Sequence, residues 1–286
     1  MQENTNDDTT SRTTWHPAFV EALMMELQAY HDVLDFHPEY NLTSEPLRID
    51  CVVIKKAKGV VIEKNIAAIF RDVNLVEYKS PSDYVSIGDF YKVYAYACLY
   101  ASFNGVPVTD LTISFVESRR PSRLIEHLEK VRGYTVEESG GGIYTVTGDI
   151  FPIQVIDSRH LLEDENLWLK NLSNELDMSA MRRIGDAAER QGKGARLQAY
   201  LTAILRANAL AAREVMKMGY VHPVLEEALR EYGYIAKWDA ETRESNSLSI
   251  AQNMIGRGYP FEEVVSLTEL DPEKVRKLYA TDSGPA

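Results

Sequence analysis

Between Leu47 and Tyr100 the chain carries two carboxylates where a core belongs. Leu47–Lys55 (LRIDCVVIK) alternates as a strand. Leu47, Ile49, Cys51 and Val53 point one way, and Arg48, Asp50, Val52 and Ile54 the other. Both faces are largely apolar, as in a strand covered on both sides, so Asp50 enters an apolar layer. Asn74–Ser80 (NLVEYKS) forms a second strand and Pro81 stops it. Leu75, Glu77 and Lys79 share one face of it, with Val76 and Tyr78 on the other. Carboxylates turned toward a core are costly unless something compensates them, and a divalent cation is the obvious compensator.

The elements around this pair are helical on either side. Trp15 to about Leu34 is predicted as a helix with Phe19, Leu23, Leu27 and Tyr30 on one stripe. Glu26 lies on that stripe, either snorkelling at the edge of the core or coordinating something. Pro38 and Pro46 bracket a turn or edge strand holding Glu39, an acid read as surface by default. Glu63–Phe70 forms a short connecting helix. Ser86, with Asp89 three residues on, is a capping box for a helix running to about Ser102. That helix is expected to bury Ile87, Phe90, Tyr91, Tyr94, Cys98 and Ala101, and Asn104-Gly105 ends it.

Strand Leu111–Val116, helix Pro121–Arg132 and strands Ile143–Val146 and Phe151–Ile156 follow, with Gly140–Gly142 as a turn before the last two. No GxGxxG or GK[ST] follows a strand, which argues against those nucleotide folds. The order gives an α/β fold with a central mixed sheet flanked by helices. Beyond Asp157 the pattern is helical only, with one helix over Arg196–Met216, another over Pro223–Tyr232, and Trp238–Ser247 as a linker or the polar start of a helix. The division expected is a disordered tail over 1–14, an α/β domain over 15–160, a helical region over 161–240 and a tail over 241–286. That tail parses as helix, Gly258, helix from Pro260, turn near Glu269, helix from Pro272. It has the punctuation of a helix-turn-helix or of an ordinary packing or self-association unit, with Lys274, Arg276 and Lys277 on the last helix.

The 286 residues are 45% hydrophobic and carry a net charge of −12, so broad electrostatic attraction to nucleic acid is not expected, though a local basic groove can coexist with it. No apolar run approaches the roughly 20 residues of a membrane span. The polar first residues lack a secretory apolar region. The two cysteines, Cys51 and Cys98, sit among apolar neighbours and suit a reducing, cytoplasmic setting. The histidines have no metal-finger spacing, and no GxSxG supports acyl transfer.

Asp50 and Glu77 would offer oxygens to Mg²⁺ or Mn²⁺, with the backbone carbonyl of Tyr78 between them while its ring packs away. Lys79 would orient or help deprotonate the attacking water and offset charge developing on phosphorus. Glu26 would hold a second metal or a metal-bound water. Glu77-Tyr78-Lys79 is the only Glu-x-Lys or Asp-x-Lys in the chain. For each residue singly, an ion pair is the plain structural alternative.

The segments PLRIDCVVIKK, NLVEYKSPSDYVSIGDFYKVYAYACLY and IAQNMIGRGYPFEEVVSLTELDPEKVRKL together resemble the PD-(D/E)XK nuclease superfamily. More narrowly, they resemble the bacterial group of recombination-promoting nucleases and related transposases. The resemblance covers roughly the first hundred residues and the last thirty. It implies a restriction-endonuclease-like fold and Mg²⁺-dependent DNA endonuclease activity in recombination or mobile-element processing. Carried over, its acids fall at Asp50 and Glu77, its lysine at Lys79 and its helical glutamate at Glu26. Asp50 lacks the preceding proline, and Glu269 stands where a helix-turn-helix usually has glycine. DNA is the expected partner, and a homodimer would suit cutting of both strands. The competing expectation is a non-catalytic interaction protein on the same fold that self-associates through its helical tail.

Overall fold

A computed structural model of the chain describes residues 15–41, 48–55, 59–192 and 194–282. The tail expected over 1–14, Leu47 and most of the turn before it, and the exit lysines Lys56 and Lys58 lie outside the described residues. Two compact units are present, Met1–Leu225 and Glu226–Ala286.

In the first unit, strands β1 (Leu34–Asn41), β2 (Arg48–Lys55), β3 (Val73–Tyr78), β4 (Leu111–Glu117), β5 (Thr135–Gly140), β6 (Ile143–Thr147) and β7 (Ile153–Asp157) form one seven-stranded sheet ordered β1-β2-β3-β4-β7-β6-β5. The pairs β3–β4 and β4–β7 are parallel and the others antiparallel, which makes the sheet mixed and the fold α/β. β3, β4 and β7 are buried along their whole length, and the amide and short hydroxyl side chains they bury are paired across the sheet, Thr112 donating to Asn74 and Gln154 to Ser114. Helices α1 (Trp15–Glu26) and α2 (Ile87–Asn104) cover opposite faces. The ring of Phe19 on α1 stacks on Tyr78 at 4.4 Å, whereas Glu77, the next residue of β3, meets Lys92 of α2. Helix α3 (Ser122–Lys130) joins α2 over the same core, built from Leu75, Phe90, Val93, Phe115 and Leu124 among others.

The remaining helices of this unit are α4 (Leu167–Lys170), α5 (Met178–Gln191), α6 (Ala195–Ala207) and α7 (Ala209–Lys217), followed by α8 (Pro223–Glu231) at the division between units. α1 packs against α4 and α6. The helix expected over Arg196–Met216 breaks at Asn208. That buried amide donates to the carbonyls of Ser173 and Ile204 and accepts from the N–H of Leu176, bonds an unbroken surface helix would not supply.

Other boundaries also differ from expectation. The first helix stops at Glu26, and Leu34 opens β1, an edge strand where Pro38 costs no ladder bond. Glu63–Phe70 contains only a 3₁₀ turn over 65–67, too short to repay helix nucleation. The capping box at Ser86 and Asp89 is present, and Gly105 closes α2 at φ +63°. However, α2 buries Phe90, Val93, Tyr96, Ala97 and Tyr100, while Ile87, Tyr91 and Cys98 are exposed. Exposed, acidic β5 was not foreseen, and Gly140–Gly142 form its hairpin turn to β6 at positive φ throughout. No described helix is long and apolar enough to cross a membrane.

In the second unit, α9 (Tyr234–Ile255) runs unbroken through Trp238–Ser247 and through the boundary expected at 240/241. With α10 (Phe261–Thr268) and α11 (Pro272–Asp282) it closes a small core of Ala251, Ile255, Val264, Leu270 and Val275. Glu269 takes the left-handed position between α10 and α11, at φ +54°.

Candidate active site

The site lies where β2 and β3 part. Their antiparallel ladder runs from Ile54↔Val73 to Cys51↔Val76 and goes no further. On the other side of β2 the register with β1 skips Glu39 and Asp50, at the point where Glu39 turns to φ +47°. Asp50 is thus released from both ladders. Its Oδ2 accepts the N–H of Tyr78 at 2.8 Å, taking the place of a strand carbonyl. β3 stays anchored on its far side, where the Lys79 N–H donates to Val116 O. Asp50 and Glu77 are thereby fixed at one end of the sheet, the end at which parallel β3 and β4 terminate.

Four further groups converge there. Lys79 Nζ lies 2.8 Å from Asp89 Oδ1 and 3.7 Å from Glu77 Oε1. Lys92 Nζ lies 3.1 Å from Glu77 Oε1 and 3.8 Å from Asp89 Oδ1. His16, one residue into α1, has Nε2 3.5 Å from Asp50 Oδ1. Burial pushes the Asp50 carboxyl up, and His16, the Tyr78 N–H, Lys79 and Lys92 pull it back only in part. Burial likewise raises Glu77, the charge on Asp50 raises it further, and Lys92 and Lys79 oppose. Asp89 goes the other way. Burial resists its ionisation, but hydrogen bonds from Lys79 and Ser86 hold it down to about 2.

Asp50, Glu77 and Lys79 therefore come together as the sequence predicts, but Glu26 does not join them. It sits ten residues beyond His16, about 15 Å along the helix axis. Its Oε2 pairs with Lys64 at 2.7 Å, and its Oε1 accepts the N–H groups of Trp168 and Leu169 at 2.7 and 3.2 Å. Glu26 ties α1 to the start of α4 and is fully engaged in doing so. Glu39 is exposed on the edge strand. The Tyr78 ring packs away from the carboxylates against Phe19, and its amide, not only its carbonyl, serves the site. His16, Asp89 and Lys92 were missed as site residues. The capping box marked Asp89 as the start of α2, and Lys92 follows at i+3, so both were one helical turn from recognition.

The donor set fits a hydrated divalent ion. Glu77 Oε2 is buried with no hydrogen-bond partner among the described residues. Its neighbour Asp50 has one oxygen whose nearest base stands at 3.5 Å. Among the described residues no group of three or more His, Cys, Asp and Glu is placed to hold a metal ion, so a cation here would rest on two carboxylates and water alone. Two carboxylates with water completing the shell is the usual holding of Mg²⁺. The basic residues singled out on α11 are already occupied, Lys274 by Glu244 and Arg276 by Glu273.

Compared with models of known protein families, with curated proteins and with solved structures, the chain matches none.

Proposed function

We propose that the protein is a metal-dependent DNA endonuclease of the PD-(D/E)XK type, with a restriction-endonuclease-like core. The observation that carries this reading is the carboxylate pair Asp50 and Glu77, with one Glu77 oxygen buried and, among the described residues, unpartnered, and with Lys79 two residues on in the strand, its ammonium 3.7 Å from Glu77 Oε1. Asp50, Glu77 and the Tyr78 carbonyl would hold Mg²⁺ or Mn²⁺, which supplies charge stabilisation at a phosphoryl oxygen when bound. Lys79, steadied by Asp89, presents an ammonium to the attacking water and to the charge developing on phosphorus. Lys92 holds Glu77 in place from α2. His16 stands beside Asp50 and orients it. Two copies in a homodimer would address two strands, and two free cysteines agree with a cytoplasmic setting.

The test is nicking of supercoiled plasmid by the full chain with Mg²⁺, with EDTA, and for Asp50→Ala and Lys79→Ala. Loss of nicking in EDTA and in both variants is expected. Nicking that survives EDTA and Asp50→Ala would end the proposal.

One observation favours a non-catalytic interaction protein instead. Glu77 and Asp89 are already paired with lysines, as in a closed structural network. Calorimetric titration with Mg²⁺ separates the two readings, because the structural one requires no binding, or binding that Asp50→Asn leaves unchanged.

A further inference from the structure

We propose that the cavity between the loop at Tyr84–Val85 and the start of α3 is a second ligand site, binding a phosphate group of a nucleotide or nucleic-acid strand, with Arg119, Arg120 and Arg123 as its cationic rim and Glu117 as a hydrogen-bonding group inside it. The choice of a nucleic-acid phosphate rests on the nuclease reading above, while the oxyanion chemistry does not.

The cavity measures about 250 Å³ and is lined by these four residues together with Tyr84 and Ser122. Acidic residues outnumber basic ones 43 to 31 in this chain, yet none of the three arginines is ion-paired to a carboxylate among the described residues. Arg119 makes one long bond, 3.4 Å to Pro81 O, and Arg120 lies 5.5 Å over the ring of Tyr144. Arg120 also hydrogen-bonds the Tyr144 side chain and Arg119 faces Glu117, so neither is idle, but with Arg123 they keep N–H groups to turn onto a tetrahedral oxyanion. α3 begins at Ser122 with no side chain capping it; the Ser122 N–H is taken by Arg120 O, and the next N–H groups of the first turn add to the same field.

The feature that asks for a ligand is Glu117. It is 0% exposed and lines this cavity. Its Oε2 accepts the Val85 N–H at 3.1 Å, but its Oε1 is buried without a partner. Burial pushes its carboxyl up to about 7, the Val85 N–H opposes this and Asp157 adds to it. Asp157 on β7, Asp83 in the loop and Arg119 are the charged groups that face it; Asp157 is bonded to His160 at 2.8 Å through Oδ2, while its Oδ1, like Glu117 Oε1, is buried without a partner among the described residues. A carboxyl that holds its proton near neutral pH is a donor, and a phosphate oxygen held by the arginines is an acceptor for it. Three guanidinium groups on the rim make a cation the wrong occupant.

The test is calorimetry on the full-length Asp50→Asn chain without metal, so that neither hydrolysis nor a metal-bridged contact contributes. The probes are thymidine 5′-monophosphate and the dinucleotide TpT, whose single diester keeps its charge across the pH range used. Millimolar or tighter binding is expected, weakened about tenfold or more by Arg120→Gln/Arg123→Gln. The exposed Arg123→Gln alone serves if the double variant does not fold. A stronger monophosphate points to a strand end or free nucleotide as the source, and equal affinities point to internal backbone. At pH 8, Glu117→Gln should bind TpT about tenfold more tightly than the parent, since it needs no proton to donate. Absence of binding by both probes, or binding indifferent to the arginines, overturns the site. Weaker TpT binding by Glu117→Gln overturns the role given to that residue. Wild-type nicking without probe binding would sink this inference alone, and probe binding without wild-type nicking would sink the catalytic reading alone.

Discussion

Glu26→Ala separates a tie between elements from a metal ligand. The Glu26 side chain is 3% exposed and its partner Lys64 17%, so both charges stand largely out of water. Burial pushes the Glu26 carboxyl up, against Lys64 and two backbone N–H groups, which means that the pair gains little over its own desolvation. Its worth lies in what removal leaves behind. Lys64 loses its only carboxylate among the described residues, and the first N–H groups of α4 lose their acceptor. Breaking a buried pair in this way costs about 3–5 kcal/mol. For a unit of this size that lowers the unfolding midpoint by roughly 10 °C. Glu26→Gln, which keeps an acceptor for α4, should lose about half as much. Thermal unfolding followed by circular dichroism reads the stability, and Mg²⁺ calorimetry on the surviving folded protein reads the site. Unchanged Mg²⁺ affinity is expected. A wild-type midpoint together with lost Mg²⁺ affinity would refute the reasoning and return Glu26 to the metal set.

Asp50→Asn should stabilise the metal-free protein at pH 7 by about 1 kcal/mol while abolishing Mg²⁺ affinity, a trade expected of a functional carboxylate. The Asp50 pKa is raised in the fold, so its stabilising contribution is full below the ordinary aspartate value and is lost as pH rises through the raised one. The gain from Asn should therefore vanish near pH 3, and urea unfolding at the two pH values checks it. Glu117→Gln should act in the same sense over a higher window. The raised value of about 7 implies about 3 kcal/mol lost between pH 4.5 and 7, so a variant with a flat profile there is expected and a parallel one would contradict it. Gly142→Ala should cost about 2–4 kcal/mol, because its φ is +77° and a Cβ would stand 2.6 Å from Asp157 O and 2.9 Å from His160 Cβ. A shift of the urea midpoint measures it, and a neutral variant would show that the hairpin turn yields.

Much of the sheet was legible because its strands are short runs rich in apolar and β-branched residues between turn signals, even where they bury polar groups such as Asn74, Thr112 and Gln154. β2, β3, β4, β6 and β7 all announce themselves in this way. β5 does not, since an exposed edge strand of acids and small residues carries no period that burial could impose. On α2 the sequence has aromatic residues on more than one face, so periodicity alone could not choose the buried one. Tyr91 turns outward to His127 at 2.9 Å, and Tyr94 bonds Asp149, while Phe90, Val93 and Ala97 face the sheet. The break at Asn208 was invisible because it depends on carbonyl and N–H partners in a segment thirty residues away.

The site divides along the same line. Spacing on a strand decides which side chains share a face, so Glu77 and Lys79 were legible together. An apolar stripe on a helix gives a face but not a height, and at 1.5 Å per residue that distinction removes Glu26 and admits His16. Counter-charges come from packing and were hidden for that reason. Asp50, Glu77 and Asp89 face Lys79 and Lys92, three acids against two ammonium groups, which leaves one negative charge unmatched by lysine. Among the described residues Asp50 is the acid with no lysine in pairing distance, and His16 reaches it only at 3.5 Å. Glu77, although paired through Oε1, keeps Oε2 bare. The unmatched charge and the bare oxygen belong to neighbouring groups, on β2 and β3. A network built only for stability would place its second lysine at Asp50 rather than double the contacts to Asp89. Leaving that charge open costs the fold something, and a cation held at Asp50 and Glu77 would recover it.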